Sequence, residues 1–251
     1  MENKDIIYYE ELDSTNTTLE ALAKDGAKEW TVVVADRQNA GKGRRGRQWE
    51  SPKGENIYMS ILLRPDFDSS IASMITMVAA YSVALAIRDM GFGQTQIKWP
   101  NDIVLQGKKV CGILTELHLN GTDIDYVIVG VGVNVNTPIF PKELSNKATS
   151  LYLEGKQPLK REVLLQCIVK HFEEQYAYFL QCQDLSFMKE AYERMLVNKE
   201  KEVRVLEPGK EYNAYAKGIT DTGELLVITP DGCEKKVYAG EVSVRGIYGY
   251  I

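Results

Sequence analysis

Between Gly41 and Arg47 the chain reads Gly-Lys-Gly-Arg-Arg-Gly-Arg, followed by Gln48-Trp49: four cations and three glycines in seven positions of a 251-residue protein with a formal net charge of −5. Crowded cations repel one another and resist burial, so an anionic ligand would complete such a patch. Glycine lets the backbone approach that ligand closely and leaves the loop mobile. A charge run is more often a solvated surface loop, but the interleaved glycines and Trp49 favour a phosphate-handling one. The spacing Gly41-x-Gly43-x-x-Gly46 also fits the pattern that holds a dinucleotide pyrophosphate at a helix N-terminus. Here Pro52 and Gly54 follow, and Ile57 to Leu63 reads as a strand, so no helix starts where that site needs one. A Walker loop is excluded because G-x-x-x-x-G-K-[ST] does not occur. The expectation is a mobile basic loop between two strands.

Three further strings could carry chemistry. In Lys98-Trp99-Pro100-Asn101-Asp102, Pro100 fixes φ and biases Trp99 towards extended geometry, so a rigid turn presents Lys98 and Asp102. The lysine suits phosphate or carboxylate, and the acid could hold Mg²⁺ through water. A surface ion pair on a turn fits this string equally well. In Lys108 to Glu116, Gly112 sits inside an expected strand, which suits either a close-lying ligand or a bulge. Gly130 and Gly132 clear space in the run ending Asn134-Val135-Asn136, whose amides also suit a turn before Pro138. His118 and His171 are the only histidines, no serine or cysteine sits in a nucleophile motif, and no His/Cys spacing suggests a metal. The chemistry on offer is electrostatic, with lysine and arginine gathered about phosphate.

The elements that must position these residues follow from periodicity and punctuation. Ser14, Thr15 or Asn16 can cap a short helix to about Ala27, and strands at 31–35 and 57–63 flank the basic loop. A long helix covers Ile71 to Met90 and ends at Gly91, and strands Val110–Leu119 and Tyr126–Val135 join across Asn120-Gly121. Helices are expected over 160–182 and 184–197. Beyond Lys199, β-rich runs at 203–206, 212–219, 225–229, 235–238 and 242–248 alternate with turn clusters, which suggests a small SH3-like barrel. The expected division is 1–198 and 199–251. The acidic balance argues against general nucleic-acid binding. Four cysteines without a C-x-x-C pair point to cytoplasmic thiols. Met1 to Asp5 leads into no secretory h-region, and the longest apolar run, Met74 to Ile87, is too short for a bilayer span.

Taken in order, Asp13-Ser14-Thr15-Asn16, Gln38 to Trp49, Lys98 to Asp102, Lys109-x-x-Gly112-Ile113-Leu114-x-Glu116, Gly132-x-Asn134-x-Asn136 and Gly240 to Arg245 resemble the bacterial biotin protein ligases. The resemblance implies an α+β fold, a central mixed sheet flanked by helices in the manner of class II synthetases, with a small C-terminal SH3-like barrel. It also implies a monofunctional type, since the Ser-Thr-Asn string begins at residue 14 and leaves no room for an N-terminal DNA-binding module. The implied reaction consumes biotin and ATP with Mg²⁺ and modifies a lysine of a biotin carboxyl carrier protein. Carried over by position, Ser14, Thr15, Asn16, Gln38, Gly41, Lys42, Gly43, Arg44, Lys109, Gly112 and Leu114 would hold biotin or its activated carboxylate. Arg45, Arg47, Trp49 and Asn134 would serve ATP, and Lys98, Asp102, Lys109 and Arg44 would be catalytic. Lys42 stands where many relatives have arginine, keeping the charge without the bidentate fork. A lipoate-protein ligase is the rival enzyme, but its expected Gly-Gly-Gly run and His-Asp pair are absent. A biotin-responsive regulator is the non-enzymatic rival. A homodimer through an exposed sheet edge follows only by analogy.

Overall fold

In β3 (Ile57–Leu63) six of seven residues are apolar, the exception being Ser60, and every one is buried. Such a strand needs cover on both faces, and it lies inside a seven-stranded sheet. The structure, a computed structural model, describes residues 5–207, 209–239, 243–246 and 250–251. The remaining strands are β1 (Ile6–Leu12), β2 (Val32–Gln38), β4 (Gln96–Lys98), β5 (Asp102–Leu105), β6 (Lys108–Asn120) and β7 (Asp123–Val133), in the order β1-β2-β3-β7-β6-β5-β4. Only β1 and β2 pair in parallel, so the sheet is mixed, as expected.

Side chains alternate between the two faces. Ile57, Met59, Ile61 and Leu63, with Val127, Val129, Val131 and Val133, join the main core beneath α2 (Ile75–Asp89) and α4 (Arg161–Cys182). On the opposite face Val33, Leu62, Tyr126 and Ile128 pack against Leu19 and Ala23 of α1 (Thr15–Lys24). Further along that same face the alternation places Ser60, Gly112, Leu114, Gly130 and Gly132. Bulky apolar side chains give way there to small or polar ones. That is where a site can open.

Helix α2 is apolar almost all round and buried, as such a helix must be in a folded core. With the 3₁₀ turn before it, the segment Ser69–Asp89 is long and apolar enough to cross a membrane, a longer stretch than the run Met74–Ile87 read from the sequence. The fold buries 72% of that window, so here it serves as a core helix. A short α3 (Leu151–Gly155) was not anticipated, and the expected helix over 184–197 is confined to α5 (Lys189–Met195).

The C-terminal strands β8 (Lys201–Glu207), β9 (Lys210–Ile219), β10 (Leu225–Ile228), β11 (Glu234–Val237) and β12 (Ser243–Gly246) form a separate antiparallel sheet ordered β11-β10-β9-β8-β12. This matches the small all-β unit expected of an SH3-like domain. Of the predicted C-terminal string, residues 240–242 lie outside the described residues. Val203, Val205, Leu225 and Val227 join the main core. Trp99, 2% exposed, bridges the two sheets. Its indole N–H donates to the Gly223 carbonyl at 3.0 Å, and its backbone N–H donates to Asn198 Oδ1 at 2.9 Å.

Candidate active site

A cavity of about 1400 Å³ opens over the glycine-lined part of the sheet, and every predicted site residue except Gly41 lines it. The glycines are small for steric reasons. A Cβ on Gly132 would lie 2.8 Å from Trp49 Nε1, one on Gly112 would lie 2.8 Å from Lys109 Nζ, and one on Gly130 would overlap the Asn16 amide. Gly41 is packed under Trp49, where a Cβ would come within 2.6 Å of the Trp49 carbonyl oxygen. Its part is to let the backbone pack closely against Trp49, Ser51 and Gln38 beside the cavity.

One end of the cavity is a neutral hydrogen-bonding cluster at the start of α1. Gln38 Oε1 accepts from the Thr15 backbone N–H at 2.9 Å and stands 3.1 Å from its hydroxyl, and Gln38 Nε2 donates to Ser51 Oγ at 3.0 Å. The Ser60 hydroxyl lies 2.8 Å from Thr15 Oγ1 and 2.5 Å from Asn16 Oδ1, while Asn16 Nδ2 donates to Glu116 at 2.6 Å. Ser14 is buried in the N-cap position of α1, yet its side chain makes no capping bond. Such a cluster suits a neutral polar group with both donors and acceptors.

The other end is cationic. The turn between β4 and β5 presents Lys98 and Asp102, with Trp99 anchored behind it and a cis Trp99–Pro100 bond. Lys98 is 4% exposed, so it is no surface ion-pair residue. Burial lowers its ammonium from the usual 10.5 to about 8. Asp102 partly offsets this, and Lys109, Arg245 and Arg47 reinforce it. Asp102 pairs with Lys109 at 2.6 Å rather than with Lys98. Burial pushes the Asp102 carboxyl up, but the Lys109 ammonium, with Tyr250 and Lys98, outweighs it and holds the group below the usual carboxylate range. Lys109 Nζ also lies 4.9 Å from the Trp49 ring centre.

The basic loop spans the two ends as a small hairpin. Gly43 N–H donates to the Arg47 carbonyl at 2.7 Å, Trp49 N–H donates to the Gly41 carbonyl at 2.8 Å, and Lys42 bridges to Gln48. Residues 44–46 form a single 3₁₀ turn with Arg45 at φ 60, and β3 follows without a helix, which bears out the exclusion of a dinucleotide motif. Lys42 leans towards the neutral end, 3.8 Å from Glu116. Arg44 leans the other way, donating to Asn101 Oδ1 at 2.8 Å and to the Ala239 carbonyl at 2.5 Å. Burial lowers the Arg44 pKa, and neighbouring Arg45 and Arg47 add to the effect against Asp102. The Trp49 indole N–H is buried without a partner among the described residues, which a bound acceptor would relieve.

A sequence profile of the biotin/lipoate A/B protein ligase family matches residues 8–134, and one of the biotin protein ligase C-terminal domain matches residues 200–245. The chain belongs to the biotin/lipoate A/B protein ligase family. The bifunctional ligase/repressor BirA of Bacillus subtilis is 36% identical over 241 residues, 95% of this chain and 74% of that one. The biotin--[acetyl-CoA-carboxylase] ligase of Mycobacterium tuberculosis is 30% identical over 236 residues, 91% of this chain and 85% of its own. The solved biotin protein ligase from Aquifex aeolicus in complex with biotin and ATP superposes with a TM-score of 0.85 at 32% identity, covering 97% of this chain and 100% of that one.

Within this member of the biotin/lipoate ligase family, several residues that line the cavity or brace its lining escaped the sequence reading. Ser60 had a signal, a lone hydroxyl in an apolar strand. Asn101 and Glu116 stood inside quoted motifs without an assigned part. Tyr250, whose hydroxyl donates to Asp102 Oδ2 at 2.5 Å, had none. Asn134 donates its amide to the Thr149 carbonyl at 3.1 Å, and Asn136 pairs with Leu159 through both side-chain atoms, so both brace the cavity wall. His118 stacks on Tyr126, and His171 Nε2 meets Asp89 at 2.7 Å, both remote in role from the cavity. Asp89, Cys167 and His171 bring donor atoms within 4.8 Å of one another, a grouping the linear spacing did not suggest, though its Asp89–His171 contact is already satisfied. Among the described residues Mg²⁺ finds no built site: Asp102, the carboxylate across the ladder from Lys98, already has its oxygens held by Lys109 and Tyr250.

Proposed function

We propose that this chain is an ATP-dependent biotin ligase that forms biotinyl-5′-AMP and passes the biotinyl group to a lysine of a biotin carboxyl carrier protein. In the first step a carboxylate oxygen of biotin bonds to the α-phosphorus, the bond to the bridging oxygen breaks, and pyrophosphate leaves. In the second step the carrier amine attacks the acyl carbon, the bond to phosphate oxygen breaks, AMP leaves, and the amine gives up a proton to water. The first nucleophile is already ionised at neutral pH, so the protein needs alignment and charge stabilisation more than a strong base.

One observation carries the reading: a single cavity has a neutral donor–acceptor cluster at one end, cations at the other and a glycine floor between them. A ureido ring suits the first, an acyl phosphate the second, and a slim apolar chain the floor. In this proposal Ser14, Thr15, Asn16 and Gln38 hold the ring, while Gly112 and Leu114 flank the chain. Lys98, Lys109 and Arg44 face the α-phosphate and its acyl bond, and Asp102 orients Lys109. Gly41, Lys42 and Gly43 shape the loop over the carboxylate. Arg45, Arg47, Trp49 and Asn134 serve the nucleotide, which brings any magnesium with it. Residues 1–198 form the catalytic unit and 199–251 the C-terminal one. Four free cysteines suit a reducing, cytoplasmic setting. We propose side-by-side pairing of two copies through the β1 edge, where Tyr8 is 61% exposed.

Incubation with biotin, ATP and Mg²⁺ should release pyrophosphate, and an added carrier domain should gain one biotinyl group by mass spectrometry. Exchange supported by lipoate and not by biotin would transfer the proposal to the lipoate branch of the family.

A further inference from the structure

We propose that Tyr250 is a positioning residue for adenylation, its hydroxyl holding Asp102 and its ring holding the Lys98 ammonium, so that the acid does not neutralise the lysine facing the phosphates. The inference deepens the ligase reading and rests on it. Lys98 and Asp102 stand directly opposite each other in the β4–β5 ladder. Opposite charges so placed ordinarily pair. Among the described residues they do not: Asp102 Oδ1 lies 2.6 Å from Lys109 Nζ, Oδ2 accepts from the Tyr250 hydroxyl at 2.5 Å, and Lys98 Nζ sits 3.4 Å from the centre of the Tyr250 ring. One side chain from the far end of the chain therefore takes the oxygen that Lys109 leaves and cradles the cation on a π face, which binds an ammonium without supplying a counter-charge.

The charged groups around Lys98 fit this division. Asp102 faces it from β5, Lys109 from β6, Arg47 from the basic loop and Arg245 from β12. Among the described residues, three of these four are cations, and the anion is held by others. An ammonium in that position is short of negative charge, and a polyphosphate supplies it. The lowered Lys98 value, about 8, agrees with an ion that has no carboxylate in direct contact.

The test compares Tyr250→Phe and Tyr250→Ala with the wild-type chain in biotin-dependent pyrophosphate exchange, as a function of pH. Wild-type activity should fall as pH rises through about 8, where Lys98 loses its proton. In Tyr250→Phe, Asp102 Oδ2 is freed to take Lys98. The maximal rate should then fall about tenfold, KM for biotin should stay within about twofold, and the alkaline limb should move to higher pH because the carboxylate now stabilises the charged lysine. Tyr250→Ala exposes Lys98 to water as well and should move the limb the same way with a larger rate loss. Phenylalanine with the wild-type rate and limb would overturn the proposal. So would a rate loss with an unmoved limb in both variants, the mark of a merely structural role. A wild-type protein with no biotin-dependent exchange would instead overturn the ligase reading beneath it.

Discussion

Replacing Lys98 with methionine should yield a more stable protein that scarcely forms adenylate. Lys98 is 4% exposed, and its ammonium falls from the usual 10.5 to about 8. At about 1.4 kcal/mol per tenfold change, folding costs the charged side chain on the order of 3 kcal/mol net. Methionine keeps the length and packs well on an aromatic ring, so Lys98→Met should gain roughly 1–3 kcal/mol at pH 7. The pH dependence has a definite sign. Unfolded lysine keeps its proton until about 10.5, whereas the folded one releases it near 8. Between those values the unfolded chain binds more protons, so wild-type stability rises with pH across the window. The penalty is complete below about 8 and gone above about 10.5, so the advantage of methionine should shrink over the same range. Adenylation should lose about 10²–10³ in rate with a cation removed from the phosphate. Urea unfolding at pH 7 and pH 10, beside pyrophosphate exchange, measures both quantities. A variant less stable than wild type at pH 7, or one whose difference ignores pH, would refute the buried-charge reasoning. An undiminished exchange rate would refute the catalytic role.

Two other substitutions probe the floor and the loop. Gly132→Ala puts a Cβ 2.8 Å from Trp49 Nε1, so the indole must shift. Biotin affinity measured by calorimetry should drop by about 1–3 kcal/mol, the usual cost of overpacking, and an unchanged Kd would remove Gly132 from the floor. Arg44→Ala deletes the bonds to Asn101 and Ala239 and a cation from the phosphate side. Retention of biotinyl-AMP should weaken by roughly 1.5–3 kcal/mol, read as faster release in a filter assay, and wild-type release would count against the loop assignment.

What the sequence disclosed, and what it withheld, follows from the range of the forces involved. The β6–β7 hairpin was legible because Asn120-Gly121 is a local turn signal, and it forms with Gly121 at φ 67. Helix α4 was legible because its apolar spacing persists over many turns. Strands β1, β4 and β5 were not. β1 is a half-exposed edge with polar residues, and β4 has only three. Their existence depends on neighbours far along the chain. The candidate site divides in the same way. The three glycines were read as making room, and the structure identifies the occupants as Asn16, Trp49 and Lys109. The partner of Asp102 could not be read. Lys98 is nearer in sequence and stands across the ladder, but Lys109 takes the ion pair. Tyr250 lies 148 positions from the acid it touches, and no spacing rule reaches that far.

Those long-range contacts bear on how the C-terminal sheet contributes to the site. Arg44 donates to the Ala239 carbonyl, the Trp99 indole donates to the Gly223 carbonyl, and Tyr250 donates to Asp102. Each ties one part of the cavity's cationic end to the segment after residue 200: the basic loop, the β4–β5 turn and the acid paired with Lys109. Apolar packing alone would dock the C-terminal sheet in many small variations of angle, because the hydrophobic effect is not directional. Hydrogen bonds from a buried indole, a guanidinium and a phenol are directional, and leaving any of them unmade inside the fold costs about 1–3 kcal/mol. Together they select one docking angle and with it one arrangement of Arg44, Lys98 and Lys109. The second sheet is thus a structural part of the cationic end, and the charge distribution there is set by residues from both ends of the chain.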